Sequence, residues 1–442
     1  MNRFSSLFFF GIFLLMTVPV SAQTNPAPAK SRTTTSVAPS GKKVPRVTKP
    51  VRRSRYSVYL VTMDPGDVLY ASFGHNAIRV VDYQLGTDLL YNFGTFALPR
   101  KVSFGAVSKF AMDYLNFRLN YWVSRQRASY AVRLYRYLNR TYRERKLLLT
   151  EREKEVLVGW LRTHHLRKNR YYHYHHYQRN CSTKVRDALK ATLGADFRRL
   201  ANVRTKSSFR KEVMVMMRTN PALMVAMDFG MGPYADKPIT RWQQFFLPHH
   251  LEKYTTLPVW QKKRGRPLVA KAIVRYQRKG AAPPTWKPHW FVYGLLGLWL
   301  LIAALLWKRD WFRIWFRLFL IPLSLMGLVL GFMMFFTGMP EPPKNANLLL
   351  YHPFHLLAWW FVSRRRWQTP RVFAFLEWYV LGHLLVGGLY LLAKLVGITP
   401  VQTNLHYFLL VLIPFAMWTL WSRNKAPEQE TEAVPAQPIP TR

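Results

Sequence analysis

The stretch YYHYHHYQRNCSTKVRDALKATLG (residues 171–194) organises the first half of the chain around Cys181, the one cysteine in 442 residues. Asn180 is a favourable N-cap residue, and Gly194 is typical of a helix end. Between them, apolar side chains recur at helical spacing at Val185, Ala188, Leu189 and Leu193. The pattern predicts a helix that begins beside the cysteine and ends before the glycine.

Cys181 then lies in the first helical turn, where free N–H groups and the positive end of the dipole stabilise a thiolate. A free cysteine is often a core residue, but at this position it is also a candidate nucleophile. A metal-ligand role is the third alternative, because histidines surround it at positions His164, His165, His173, His175 and His176. No second cysteine completes a familiar metal spacing. We favour the nucleophile and expect neither a metal nor a cofactor there.

Upstream segments alternate and are rich in β-formers at residues 56–62, 76–81 and 89–96, which predicts a small antiparallel sheet. His75 stands at the entry to the second strand and Asn92 within the third. A histidine near a nucleophilic cysteine is its natural general base, and an amide can hold the imidazole in one tautomer. We therefore predict a catalytic set of Cys181, His75 and Asn92, with Asp82 competing for the third position.

Two further helices are predicted at residues 104–119 and 150–166, the second capped by Thr150 and followed by acidic residues in its first turns. Residues 121–135 between them have mixed character, with a strand pair expected around residues 125–127. A sheet combined with helices predicts an α+β fold for this part of the chain.

The amino terminus has a basic start, an apolar run over residues 7–20 and a small-x-small site ending at Ala22. This is typical of a cleaved signal peptide at residues 1–22. Residues 23–54 are rich in Pro, Ala, Ser, Thr, Lys and Arg, so we expect a disordered basic tether. Residues 55–288 would form the exported domain with a C-terminal extension.

Five apolar stretches follow at residues 289–307, 312–337, 348–362, 372–396 and 405–421. Basic loops at residues 308–310, 363–366 and 422–425 alternate with loops whose charged residues are only Glu341 and Lys344. This alternation predicts a domain of five transmembrane helices at residues 289–421, with the tail at 422–442 in the cytoplasm. Within it, His352, His355, Glu377 and His383 are ionisable residues to which the sequence assigns no chemistry.

The formal net charge of +44 is extreme, and most of the excess lies in the predicted exported part. A basic chain often binds nucleic acid, but an exported, membrane-tethered domain seldom meets it. We expect no nucleic-acid partner. The excess fits anionic lipid head groups or a general compositional preference equally well.

Three segments carry a resemblance to a known family: GHNAIRV (residues 74–80), YNFGTF (residues 91–96), and NCST (residues 180–183) followed by Arg186 and Asp187. Their order and spacing resemble the signature blocks of the Lnb-type lipoprotein N-acyltransferases, over about residues 56–193. The resemblance implies a circularly permuted papain-like thiol domain, with the histidine strand before the cysteine helix. The family's catalytic histidine and cysteine correspond to His75 and Cys181.

The activity implied by the resemblance moves an acyl chain from the diacylglyceryl group of a lipoprotein to its N-terminal cysteine amine. The product is a lyso-form lipoprotein, and the partners are lipoproteins and membrane phospholipid. The enzyme would be a multi-pass inner-membrane protein with a periplasmic catalytic domain. Two alternatives remain open: an envelope cysteine hydrolase acting on peptidoglycan or lipid, and a non-catalytic envelope scaffold.

Overall fold

The computed structural model describes residues 54–67, 71–97, 99, 103–281, 283–307, 311–363 and 370–423. The predicted signal peptide and nearly all of the predicted tether and tail lie outside these residues. The chain divides into two compact units. The first unit comprises Met1–Arg204 and Thr240–Ala281, and the second comprises Thr205–Ile239 and Ala282–Arg442.

The first unit is built on a seven-stranded sheet whose neighbouring strands all pair antiparallel, in the order β6-β4-β3-β2-β1-β5-β9. The strands are β1 Tyr56–Met63, β2 His75–Asp82, β3 Thr87–Thr95, β4 Asn120–Arg127, β5 Tyr142–Leu147, β6 Tyr171–His173 and β9 Val269–Tyr276. A separate ribbon pairs β7 Arg204–Ser208 with β8 Pro238–Thr240. The α+β fold class is therefore confirmed.

Helices cover the sheet because successive strand residues point to opposite faces and both faces carry apolar side chains. The helices of the first unit are α1 Phe104–Leu115, α2 Ala128–Tyr137, α3 Glu151–His165, α4 Cys181–Leu193, α5 Ala195–Ala201, α8 Arg241–Gln244, α9 Pro248–Thr255 and α10 Pro258–Arg264. Leu157 and Leu161 of α3 and Val185 and Leu189 of α4 are fully buried in one core with Phe93 of β3. This packing fixes the start of α4 against the sheet.

The sheet is larger than the sequence predicts, because β5, β6 and β9 were not expected. Four of the six residues of the β5 sequence YRERKL are charged, so it has the composition of a loop. Its Glu144 is nevertheless buried and accepts hydrogen bonds from Arg79 at 2.7 Å and Arg275 at 3.0 Å. Cross-strand ion pairs thus replace the apolar alternation that usually reveals a strand. The mixed segment 121–135 resolves into β4 followed by α2, rather than a strand pair.

The second unit contains the apolar helices. Its helices are α6 Phe209–Met217, α7 Pro221–Gly230, α11 Pro288–Leu306, α12 Trp311–Phe336, α13 His355–Ser363, α14 Pro370–Leu395 and α15 Leu405–Arg423, with short 3-10 turns at Pro233–Asp236 and Ala346–Leu349. Four helices, within α11, α12, α14 and α15, are long and apolar enough to cross a membrane.

The predicted third span, residues 348–362, is the exception. Its helix, α13, is described over nine residues, about 14 Å at 1.5 Å per residue, and residues 364–369 beyond it lie outside the described part of the chain. Non-helical backbone precedes it at Tyr351 and His352. The expected count of five spanning helices is therefore not fully confirmed, because four described helices meet the length requirement.

Residues 205–239, which the sequence places in the exported domain, pack in the second unit. Arg210 of α6 and Asp228 of α7 form a buried ion pair at 2.7 Å. The same carboxylate contacts His406 Nε2 of α15 at 3.0 Å. An unpaired buried charge is costly, so this network ties the segment to the apolar helices.

Candidate active site

The start of α4 is held by its cap, as the sequence predicts. The Asn180 side-chain oxygen accepts from the Thr183 N–H at 2.9 Å, and the Thr183 hydroxyl accepts from the Asn180 N–H at 2.8 Å. The Asn180 amide nitrogen also donates to the carbonyl of Phe246 at 2.8 Å. Both sides of the amide are therefore engaged, which fixes where the first helical residue, Cys181, lies.

A buried hydrogen-bonded chain links the cysteine helix to the histidine strand. The Ser182 hydroxyl donates to the Asn76 side-chain oxygen at 2.9 Å, and the Asn76 amide nitrogen donates to the Thr62 hydroxyl at 3.0 Å. All three side chains are buried. Ser182 follows Cys181 and Asn76 follows His75, so this chain sets the spacing of the two residues that precede it.

The structure brings together all three residues of the predicted catalytic set. His75 begins β2, and its Nε2 hydrogen-bonds the side-chain oxygen of Asn92 on the paired strand β3. Because the amide oxygen can only accept, Nε2 carries the proton. His75 Nδ1 is then the nitrogen left for the thiol of Cys181, which hydrogen-bonds this imidazole.

Gly94 lies where β3 passes the cysteine and the histidine. Its φ is +93°, a value that favours glycine, and it coincides with a register shift between β3 and β4. A Cβ at this position would lie 3.5 Å from the Cβ of Cys181 and 3.9 Å from Cε1 of His75. The absence of a side chain keeps this side of the thiol uncovered.

The electrostatics of the pair favour a thiolate. Burial raises the pKa of Cys181. This effect is outweighed by the charge of His75, by a hydrogen bond from His75 and by hydrogen bonds from the backbone N–H groups of Asn76 and Ser182. The pKa of the thiol is therefore below 9.0. Burial lowers the pKa of His75, yet the charge on Cys181 and hydrogen bonds with Cys181 and Asn92 raise it above 6.5. Each group stabilises the charged form of the other.

Asp82 does not lie near His75. It sits at the far end of β2, where its carboxylate pairs with Arg55 at 3.3 Å and Arg162 at 3.2 Å. Burial raises the pKa of Asp82, but the hydrogen bond from Arg55 and backbone hydrogen bonds at the following turn lower it below its usual value. This aspartate stabilises the strand end, and Asn92 occupies the position beside the imidazole.

The histidines near Cys181 in the sequence are engaged elsewhere. His175 stacks on Phe117 with ring centroids 4.1 Å apart and accepts from the Tyr177 N–H. His164 stacks on Trp160 at 3.6 Å. Across the part of the chain that the structure describes, no cluster of potential metal ligands includes Cys181. The geometry therefore does not support the hypothesis that Cys181 is a metal ligand.

Aromatic side chains of β4 and of the segment that precedes Cys181 pack together near the thiol. Tyr121 of β4 stacks on Tyr174 with ring centroids 4.3 Å apart, and Tyr172 lies beside it. A pocket of about 300 Å³ beyond Tyr172 is lined in part by Phe93 and Lys184 but by none of the three predicted site residues. It therefore gives no argument about the substrate of the cysteine.

Sequence reasoning missed three contributors to this site: Asn76, Ser182 and Gly94. Each is a direct neighbour of a predicted residue or two positions from one, within the segments GHN, NCS and YNFG. The three residues stand in segments that the sequence singles out. The hydrogen bonds of Asn76 and Ser182, and the close approach of Gly94 to Cys181 and His75, depend on tertiary structure.

A helix-start cysteine facing a sheet histidine, in a chain that continues into apolar helices, defines a membrane-associated protein with a thiol–imidazole site. Residues 43–209 match the family model described as the Lnb N-terminal periplasmic domain, and residues 281–427 match that of the Lnb transmembrane domain. The chain belongs to the Lnb family. It is accordingly an inner-membrane protein with a periplasmic domain, in a family that modifies lipoproteins.

No curated protein and no solved structure matches the chain.

Proposed function

We propose that this protein is a lipoprotein N-acyltransferase in which Cys181 is the nucleophile and His75 the general acid and base. Asn92 acts as a positioning residue that holds the imidazole in one tautomer. The observation that carries the proposal is the convergence of these three side chains at a capped helix start, in a member of the Lnb family.

In the first half-reaction, the Cys181 thiolate attacks an ester carbonyl of the diacylglyceryl group. The ester C–O bond breaks, the His75 imidazolium gives its proton to the departing glyceryl oxygen, and the acyl chain remains on sulfur as a thioester. The positive end of α4 favours both the thiolate and the oxyanion that forms during the attack. Neither a metal nor acyl-CoA enters this scheme.

In the second half-reaction, the α-amine of the N-terminal cysteine of a lipoprotein attacks the thioester. His75 Nδ1 accepts a proton from the amine, the C–S bond breaks, and the thiolate is regenerated. The lipoprotein gains an N-acyl chain and one lipoprotein loses a glyceryl ester. Donor and acceptor are both lipid-anchored, so the reaction suits an enzyme held at the inner membrane by its own helices.

Mass spectrometry of the N-terminal peptide of an abundant lipoprotein tests this proposal. A host lacking other N-acylation activity would carry wild-type protein, Cys181→Ala or no protein, with expression checked by immunoblotting. We expect an N-acylated peptide that lacks one glyceryl ester only with the wild type, and a drop of about 10³-fold or more for Cys181→Ala.

Two other outcomes would change the assignment. Loss of the ester without gain on the amine would make the protein a hydrolase, with water as the acceptor. An unchanged diacylglyceryl peptide in all three strains would reject action on lipoproteins and favour a cell-wall substrate for the same pair of residues.

A further inference from the structure

Three histidines converge within the second unit, far along the chain from the cysteine. His352 precedes α13, His355 begins it, and His383 lies in the middle of α14. One ring nitrogen from each lies within 4.8 Å of the others. His355 is fully buried, and its ring stacks on that of His352 with centroids 4.3 Å apart.

The hydrogen bonds assign the proton on two of the rings. His355 Nε2 lies 2.8 Å from the carbonyl oxygen of Leu350, and His383 Nδ1 lies 2.6 Å from the carbonyl oxygen of Tyr379. A carbonyl only accepts, so both of these nitrogens carry the hydrogen. The opposite nitrogens, His355 Nδ1 and His383 Nε2, therefore present lone pairs. A backbone carbonyl that fixes the tautomer in this way is the usual outer partner of a metal-binding histidine.

The third ring completes the convergence. His352 Nε2 faces His383 Nε2 at 2.6 Å, closer than the usual range for a hydrogen bond donated by nitrogen. His352 Nδ1 is buried and has no hydrogen-bond partner among the described atoms. The Tyr379 hydroxyl lies 2.8 Å from His355 Nδ1, which adds an oxygen to the same site.

The backbone is shaped to place His352 here. Gly327 in the middle of α12 faces this segment, and a Cβ there would lie 2.5 Å from backbone atoms of Tyr351 and His352. The Ser324 hydroxyl, one turn earlier, donates to the carbonyl of Pro353 at 2.7 Å. The close approach and this hydrogen bond together hold the histidine segment against the helix.

We infer that His352, His355 and His383 form a binding site for a transition-metal ion of the zinc type. Three imidazoles are a ligand set that zinc prefers, and the Tyr379 hydroxyl or water would fill a fourth position. Zinc–nitrogen bonds of 2.0–2.1 Å place two tetrahedral ligands about 3.3 Å apart. Seating the ion therefore requires the two facing rings to separate by about 0.7 Å and the proton of His352 to reside on Nδ1. It also requires the Tyr379 hydroxyl, which donates to His355 Nδ1, to turn its hydrogen away from that lone pair.

The membrane environment of the three histidines favours a bound ion. Polar side chains in a membrane-embedded unit are costly and are retained where they have a partner or a function. An ion here would join α13 to α14. This assignment does not depend on the acyl-transfer proposal, since none of the three histidines belongs to the cysteine site.

Metal content of the full-length protein, purified in detergent with a histidine-free tag, tests the inference. We expect about one equivalent of zinc per chain after incubation with ZnCl₂ and desalting, for both the wild type and Cys181→Ser. His355→Ala and His383→Gln should lose it, whereas His289→Ala, which changes a histidine of the same unit outside the cluster, should keep it.

A measurement on the wild type alone tests the inference even if the variants fail to fold. CoCl₂ added to the apo protein should give visible d–d absorption that ZnCl₂ abolishes. A folded, monodisperse wild type that binds less than about 0.1 equivalent of zinc and gives no cobalt spectrum would overturn the inference. Equal zinc content in wild type and both cluster variants would overturn it as well.

Discussion

The two proposed histidine sites, one in the described part of each unit, each lie beside a glycine, for a different reason in each case. At Gly94 the backbone has φ +93°, while the atoms nearest to a new Cβ would be at ordinary contact distances of 3.5 and 3.9 Å. At Gly327 the backbone is helical, and a Cβ would overlap the backbone of the histidine segment at 2.5 Å. The first glycine is required by conformation and the second by space.

The two sites also differ in what the free imidazole nitrogen faces. In the first unit an amide oxygen fixes the tautomer of His75, and its other nitrogen faces a thiol. In the second unit carbonyl oxygens fix the tautomers of His355 and His383. The other nitrogen of His383 faces the imidazole of His352, and that of His355 accepts a hydrogen bond from the Tyr379 hydroxyl. In the two proposed sites the same device would prepare one histidine to exchange a proton and the others to bind an ion.

The largest effect is expected from Gly327→Ala. The added methyl meets backbone rather than a flexible side chain, so the segment at residues 351–352 must shift, at a cost of about 3 kcal/mol or more. The Tm of the purified full-length protein should fall clearly. Gly331→Ala, one turn along α12, is the matched control, since its Cβ would lie 3.9 Å from a side-chain atom of Leu348. Equal Tm values for the two variants would contradict the steric overlap expected at Gly327.

Gly94→Ala comes next. The left-handed backbone costs roughly 1–2 kcal/mol for a residue with a Cβ, and the methyl also abuts Cys181 and His75. We expect N-acylation to fall by about 10- to 100-fold, because small misplacements at a reacting centre are costly. Gly86→Ala carries comparable strain at φ +62° with nothing within 4 Å. Should the two variants lose activity equally, the contact with the cysteine would be irrelevant.

The pH dependence of thiol alkylation sharpens the assignment of His75. Because the chain has one cysteine, iodoacetamide reports on Cys181 alone. The charge and hydrogen bond of His75 lower the pKa of the thiol, so His75→Ala should raise that pKa and move the alkylation profile to higher pH. At pH 7 the rate should fall several-fold, as the thiolate fraction falls. His164→Ala is the control. An unchanged profile in His75→Ala would show that His75 does not lower the pKa of Cys181.

Ser182→Ala should have the smallest effect. It removes the hydroxyl that donates to Asn76 and leaves a buried amide oxygen unpaired, at a cost of about 1 kcal/mol in the free energy of unfolding. The alkylation profile should hardly move, since the thiol keeps its imidazole. Ser57→Ala is a control on the same sheet, because its hydroxyl partner Tyr83 is exposed and can turn to water. A larger loss for Ser57→Ala would contradict the linking role of Ser182.

The site was more predictable than the sheet around it. Asn180, Cys181 and Gly194 predict the helix and its start from residue types alone, and alternation predicts β1 to β3 with His75 and Asn92 on neighbouring strands. The strands β5, β6 and β9 escaped prediction. For β5 the reason is that ion pairs of Glu144, one of them with Arg275 of β9, stabilise it rather than apolar alternation.

The histidine cluster could not have been assembled from the sequence. His352 and His355 are close in the chain, but His383 lies on another helix, and no local pattern places the two together. The close approach at Gly327 is likewise a property of packing.

The first unit is discontinuous in sequence, and this constrains its biogenesis. The family match ends at residue 209, yet the core of the unit also uses Tyr254 and Trp260, and β9 supplies the outer neighbour of β5. A secreted fragment cut at residue 209 would therefore lack part of its own core. In the cell, translocation must deliver residues up to 281 before folding of this unit can finish, just ahead of the first apolar helix at Pro288.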